Sequence, residues 1–253
     1  MLFDTHAHYD SGAFNADRME VMASMPEQGV ELILNPGCDL ETSRTAVSLA
    51  NAFDFVYAAV GVHPSDCETY TDQVEEELRA LAADPKVKAI GEIGLDYYWK
   101  DNAPAEVQKA VFRRQMELAR QLKLPVIIHD REAHRDCLEI VKEFPDVTGV
   151  YHCYSGGIED AKTLVKMGWM LSFTGVVTYK NARKSLEVLE MLPMDRIMIE
   201  TDSPYLTPEP FRGKRNDSSK VRYVAETIAR VKGLDVGEVI RLTTENGKRF
   251  FHI

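Results

Sequence analysis

Apolar positions along the chain follow two alternating rhythms. Short runs rich in apolar and β-branched residues occupy 2–6, 31–35, 55–60, 87–92, 125–129, 148–152, 169–173 and 196–201. Each has the length of a strand, and polar or turn-forming residues separate them. Between the runs, apolar residues recur at helical spacing. Ala46, Leu49, Ala50 and Phe53 fall at i, i+3, i+4 and i+7, the positions that share one buried helix face. Val107, Val111, Leu118 and Leu122 repeat that stripe behind Pro104, a residue tolerated where a helix starts. Val221, Val224, Ala225 and Ile228 mark the penultimate helix. Asp72 with Glu75, and Asp235 with Glu238, have the spacing of an N-cap and its reciprocal acid.

Strands that alternate with helices imply crossover connections and a parallel sheet. The 253 residues match the size of one (β/α)8 barrel. The expected architecture is therefore α/β: a single (β/α)8 TIM barrel spanning residues 1–253 as one domain. The rival, an open doubly wound sheet, would gain from a GxGxxG or GxxxxGK[ST] motif, and neither occurs. The longest irregular stretch runs from Ser203 to about Asp217, after the eighth strand. Long loops at the carboxyl ends of barrel strands usually serve function.

Composition narrows the classes. A net charge of −10 argues against a broad basic surface for gripping duplex DNA. The opening MLFDTHAHYD has no basic region followed by an apolar run, so no signal peptide is expected. No stretch reaches the ~18–20 apolar residues that span a bilayer. Cys38, Cys67, Cys137 and Cys153 form no CxxC pair and read as reduced thiols of a cytoplasmic protein.

The chemistry lies at the strand ends. His6, His8, Glu92, His129, His152 and Asp202 each sit at or just after the end of a strand-like run. A parallel barrel gathers those ends at one mouth. Any one of these residues alone is weak evidence, but five of the seven histidines occupy such ends once His63 is included; His134 and His252 fall elsewhere. Four imidazoles and two carboxylates exceed the needs of one tetrahedral ion. They suit two divalent cations ~3.5–4 Å apart, which together hold a substrate oxygen and activate water. His6 and His8 are assigned to one ion, His129 and His152 to the other, and Glu92 to the bridge. Asp202 is assigned to metal binding and to accepting the proton of the attacking water. Asp4 and Glu200 lie one pleat below His6 and Asp202 and are expected to orient ligands. If His152 points inward, pleat alternation sends Cys153 outward. Imidazole favours zinc, manganese, iron or nickel over magnesium.

The same residues carry a family likeness. Thr5-His6-Ala7-His8, GVHP at 61–64, GEIGLDYY at 91–98, PVIIHDRE at 125–132, HCYSG at 152–156, and ETDSPYLTP at 200–208 followed by RGKRN at 212–216 resemble the TatD family. These are metal-dependent deoxyribonucleases of the amidohydrolase superfamily. The resemblance runs the length of the chain. It implies a TIM barrel, a divalent-metal site at the six positions above, and hydrolysis, with DNA as the best-known substrate. Family nuclease activity is associated with magnesium-type ions, so zinc, manganese and magnesium all stay open. One departure is Asn216-Asp217-Ser218-Ser219, where relatives often read Asn-Glu-Pro.

Phosphate recognition needs cations near the metals. Arg131 follows His129 by two residues, and Arg212, Lys214 and Arg215 cluster after Asp202. Tyr97, Tyr98 and Trp99 follow the Glu92 strand and Tyr154 follows His152; rings so placed are base-stacking candidates, with Tyr97 and Tyr154 taken as the substrate contacts and loop packing as the alternative role. His63 is expected to donate a proton to the leaving group or to bind a phosphate oxygen. The resulting expectation is exonucleolytic hydrolysis of single-stranded DNA or DNA ends. The alternatives are another ester, such as an aminoacyl ester on tRNA, a small phosphodiester, or a non-catalytic binding module. A decayed site should have lost ligands, and all six are present.

Overall fold

The computed structural model describes residues 1–253. Its strands are β1 (Leu2–Asp4), β2 (Val30–Pro36), β3 (Val56–Val60), β4 (Val87–Asp96), β5 (Val126–Arg131), β6 (Gly149–Tyr151), β7 (Met170–Phe173) and β8 (Ile197–Ile199). They pair in parallel in sequence order, β1 through β8. The helices between them are α1 (Arg18–Ser24), α2 (Leu40–Ala52), α3 (Asp72–Leu81), α4 (Ala105–Leu122), α5 (His134–Lys142), α6 (Ile158–Lys166) and α7 (Arg183–Met191); α8 (Val221–Lys232) and α9 (Val236–Phe251) follow β8. This is the expected (β/α)8 TIM barrel.

Two apolar clusters hold it. One takes residues from every strand, among them Leu34, Ala59, Ile127, Val150, Met170 and Met198, and fills the barrel; Phe251 of α9 joins it. The larger cluster packs the other strand faces against the helices, with Trp169, Phe112 and Phe173 among its largest members. The α8 stripe Val221, Val224, Ala225 and Ile228 is fully buried there.

Local details depart from the periodicity in three places. Val107 is 39 % exposed, because the buried face of α4 is Gln108, Val111, Phe112, Gln115, Met116, Leu118 and Ala119. Two polar residues belong to that face because they hold backbone. Gln115 accepts from Val62 N (2.8 Å) and donates to Val62 O (2.8 Å). Gln108 does the same for Asp96 N (2.9 Å) and Asp96 O (3.1 Å). The N-cap of α3 is Thr71, whose side chain accepts from Val74 N, so Asp72 stands inside the first turn. Asp235 caps α9 as expected, accepting from Gly237 N and Glu238 N.

Strand ends differ too. β1, β6 and β8 stop at Asp4, Tyr151 and Ile199, short of the expected limits, while β4 continues to Asp96. Gly94, at φ +142°, lets β4 stay paired: Gly94 lies opposite His129 and Asp96 opposite Arg131. The barrel closes between β1 and β8 through Thr5 N to Ile199 O (3.2 Å) and Thr5 Oγ1 to the same oxygen (3.0 Å). Beyond the strands, the contact continues as His8 N to Ser203 O (2.7 Å) and Asp202 N to His6 O (2.9 Å).

Gly94 is thus a point where fold and mouth meet. A Cβ there would lie 2.0 Å from the His129 carbonyl oxygen, in a backbone conformation L-residues rarely adopt. Gly94→Ala is expected to cost about 3 kcal/mol or more in urea unfolding. A midpoint equal to that of the parent protein would show that the β4–β5 register does not depend on this glycine.

Candidate metal centre

The chain pins each predicted ligand by backbone rather than leaving it on a free loop. His6, His8 and Asp202 sit in the β1–β8 closure just described. Arg18 ties down the loop after His8, donating to the carbonyls of Tyr9, Asp10 (2.9 Å) and Ser11 (3.1 Å). Glu92 and His129 lie within β4 and β5, and His152 N donates to Ile128 O (3.1 Å). Asp202 itself holds a left-handed backbone, φ 55°. Such conformations persist only where surrounding contacts dictate them, and they gather at functional sites.

The six side chains converge, and Glu92 divides them into two groups. Its Oε2 lies 3.4 Å from His6 Nε2 and 3.5 Å from His8 Nε2. Those two nitrogens are 3.0 Å apart, and Asp202 Oδ1 stands 3.8 Å from the first and 3.5 Å from the second. Glu92 Oε1 faces the other way, 2.8 Å from His129 Nδ1 and 2.8 Å from His152 Nε2, which are 3.4 Å from each other. Ligands about 2.0–2.1 Å from one ion stand about 3.3–3.4 Å apart in a tetrahedron. The observed separations bracket that value in both groups, and the donors are imidazole nitrogens and carboxylate oxygens, so the residues fit divalent cations. The second group comprises three such side chains, Glu92, His129 and His152.

Further carboxylates fix the imidazoles from behind. Asp96 Oδ2 lies 3.0 Å from His129 Nε2, and Glu200 Oε1 lies 3.3 Å from His152 Nδ1. Carboxylate partners of this kind set ring orientation and raise ligand basicity. Glu200 also accepts from Cys153 N (2.6 Å) and from the Ser172 hydroxyl. Asp4 differs from the expectation in its manner of contact. It touches no ring; it accepts from Thr201 N (2.8 Å) and the Thr201 hydroxyl, clamping the chain just before Asp202.

Electrostatics follow from this packing. Burial alone would raise the Glu92 carboxyl, but His152 and His6 outweigh it and hold the group well below its usual range. Burial works against a proton on His152, yet Glu92 and Glu200 hold that imidazole well above its ordinary 6.5. His129 is raised as well, Asp96 and Glu92 overcoming the burial. His63 goes the other way: burial pushes it down to about 3, reinforced by His129. Its Nδ1 accepts from Ser65 N (3.1 Å), so the neutral ring carries its proton on Nε2, which points toward Glu92 Oε1 at 3.9 Å.

A pocket of about 730 Å³ opens over the centre, within the range of small-ligand sites (~300–1,000 Å³). Arg131 lines it, as do His63 and Tyr154. The other substrate candidates stand elsewhere. Arg215 pairs bidentately with Asp17 (2.9 and 2.6 Å), lies over Phe14, and does not line the pocket. Arg212 covers the Tyr179 ring at 4.3 Å, and neither it nor the exposed Lys214 reaches the lining. Tyr97 is packed against the core and donates to Asp136 Oδ2 (2.8 Å). Tyr154 is buried and donates to Gly157 O (2.8 Å), so its ring has no free face to offer. Cys153 lines the pocket instead of pointing outward, because β6 ends at Tyr151 and the residue takes φ 42°, where strand alternation no longer applies.

Sequence reasoning missed Asp96 and Tyr205 as pocket residues, while Trp99, named among the aromatics after the Glu92 strand, does line it. Asp96 stands four residues past the expected end of β4, in a strand whose length only the Gly94 conformation reveals. Tyr205 had no periodicity to place it.

The family model described as TatD related DNase matches residues 3–252. The chain is 47 % identical over 255 residues to the uncharacterized metal-dependent hydrolase YabD of Bacillus subtilis, covering all of both chains. It is 34 % identical over 259 residues to the 3'-5' ssDNA/RNA exonuclease TatD of Cronobacter sakazakii, covering 99 % of this chain and 97 % of that one. The crystal structure of YjjV, a TatD homologue from Escherichia coli, superposes with a TM-score of 0.93 at 28 % identity, over 100 % and 98 % of the two chains. With its barrel and its His/Asp/Glu clusters, this chain belongs to the TatD family of metal-dependent hydrolases.

Proposed function

We propose that residues 1–253 form one hydrolase domain holding two divalent cations, and that it cleaves phosphodiester bonds at the ends of single-stranded DNA. The carrying observation is Glu92, whose two oxygens face two separate donor groups. In this reading, His6, His8 and Asp202 would hold one cation and His129 and His152 the other, with Glu92 offering one oxygen to each group. Such cations, when bound, activate water and offset charge on the phosphoryl oxygens. Imidazole-rich donors suit zinc or manganese, with magnesium at a looser position.

The protein's own groups supply the rest. Asp202 is partly exposed at the pocket, where its carboxylate accepts the proton released by the attacking water. His63 is held neutral, so it serves as a hydrogen-bond donor through Nε2 to a phosphoryl or leaving-group oxygen, not as an imidazolium acid. Arg131 is exposed, lines the pocket and makes no salt bridge, which leaves its guanidinium free for a phosphate. The exonuclease names of relatives in Cronobacter support nucleic acid as substrate. A pocket of this size admits a chain end more readily than a duplex. No helix is long and apolar enough to cross a membrane; the four unpaired cysteines fit a reducing compartment such as the cytoplasm.

Asp202→Asn is expected to lower kcat by roughly 10²–10⁴-fold while leaving the thermal midpoint near that of the parent chain. Rates are read on an end-labelled single strand, a duplex and an aminoacyl ester on RNA. Undiminished metal-dependent hydrolysis would remove Asp202 from its role; cleavage of the aminoacyl ester alone would replace the DNA reading.

Metal uptake should also release protons. In the metal-free protein, His129 and His152 retain protons above the ordinary imidazole range, and a cation needs those lone pairs. Affinity should therefore fall as pH is lowered, with the fall beginning above pH 6.5. Zinc titration calorimetry in two buffers of different ionisation enthalpy measures the release at pH 7. Zero release would show that these imidazoles are neutral before binding or do not bind the ion.

A further inference from the structure

Tyr98, Trp99 and Tyr205 are the three exposed aromatic side chains of the molecule, at 46 %, 57 % and 57 %. All three lie in loops at the metal end of the barrel, and Trp99 and Tyr205 line the pocket itself. They rise from the loops after β4 and β8, strands that stand opposite each other in an eight-stranded barrel. Large apolar surface left in water at a functional mouth marks a binding surface.

Both rings are carried on fixed backbone. Asp96 Oδ1 accepts from Tyr98 N (2.9 Å) and Trp99 N (3.4 Å), while the other oxygen of that carboxylate holds His129. Tyr205 N donates to Asp202 O (2.8 Å), and Tyr205 O accepts from Asn216 Nδ2 (2.7 Å). Each ring is therefore one short link from a residue of the metal centre. Arg131 lies over Tyr98, 3.8 Å from the ring centre, and 5.4 Å from that of Trp99, so the same wall presents a cation beside an open aromatic surface.

We propose that Trp99 and Tyr205 form an aromatic clamp across the mouth that stacks on an unpaired nucleobase near the chain end, while Arg131 takes the adjoining phosphate. This rests on the phosphodiesterase reading above and adds base-dependent recognition to it. Every base has a π-face, so stacking tolerates any sequence but rejects a backbone without bases. It also rejects paired bases, whose faces are covered by their neighbours in a duplex. The clamp would thus set both the single-strand preference and the seating of the terminal phosphate.

The two tryptophans make the test direct, because Trp169 is 1 % exposed and serves as a silent reference. The zinc-loaded full chain is titrated with a short phosphorothioate-linked oligodeoxynucleotide, which resists hydrolysis, and with the same backbone lacking bases. The clamp predicts saturable quenching of tryptophan emission by the base-bearing strand and little by the base-free one, with the quench abolished in Trp99→Phe. Tyr205→Ala should weaken binding of the base-bearing strand roughly 5-fold or more, and Tyr205→Phe should restore it. In steady-state hydrolysis, the ratio of KM for base-free to base-bearing strands should fall toward one in Trp99→Ala. Equal quenching by both strands, or none, overturns the clamp; if the parent chain still hydrolyses both, the nuclease reading survives that result. Base-dependent quenching without hydrolysis of any oligonucleotide upholds the clamp as a binding site and removes the nuclease reading.

Discussion

A carboxylate buried among imidazoles governs this mouth. Glu92 has four histidine nitrogens within 3.5 Å, and almost none of its surface meets water. An isolated buried carboxylate is costly, and so are histidines crowded face to face, such as His6 and His152 at 4.1 Å between ring centres. Packed together, they offset each other: Glu92 stays ionised because the rings surround it, and against the cost of burial three of those rings, His8, His129 and His152, are raised above the ordinary imidazole value by the acidic groups beside them. The arrangement is a store of lone pairs whose protons a cation can displace. It also explains why the outer partners Asp96 and Glu200 are themselves buried, since a carboxylate in water would hold a ring less firmly.

Position follows from the way a parallel barrel is built. Its strands begin at one rim and end at the other, so residues almost two hundred positions apart share a mouth. That part was legible in the sequence: alternating strand and helix runs gave the barrel, and ligand-type residues at strand ends gave the six convergent side chains. Less legible was anything set by irregular backbone. The length of β4 depends on Gly94 at φ +142°, the direction of Cys153 on φ 42°, and the setting of Asp202 on φ 55°. None of these is encoded in hydrophobic periodicity. The α4 stripe failed at Val107 for a related reason: two buried glutamines claim the face because loop backbone needs their amides, and a count of apolar residues does not see them.

Cations were legible by kind but not by partner. Arg131, Arg212, Lys214 and Arg215 all follow ligand-bearing strands, and only Arg131 remains a pocket residue without an acidic partner. Arg215 is consumed by Asp17, a residue nearly two hundred positions earlier. Of these four cations Arg215 alone is paired with a carboxylate, and Arg212 instead covers the Tyr179 ring. A sequence reveals the cation but not which distant acid reaches it.

The same imbalance bears on how such a protein would handle a polyanion. Long-range attraction to a nucleic acid is unfavourable at a net charge of −10. Affinity would then have to arise at short range, from the metal centre, one free guanidinium and aromatic surface. Contacts of that kind displace few counterions, so binding would depend less on salt than it does where many lysines and arginines track a backbone. They would also reach only one or two nucleotides, as the proposed action at a chain end requires. Under the reading proposed above, a net charge of −10 and a mouth with one free guanidinium would favour contacts at the terminus of a nucleic acid over contacts along its length.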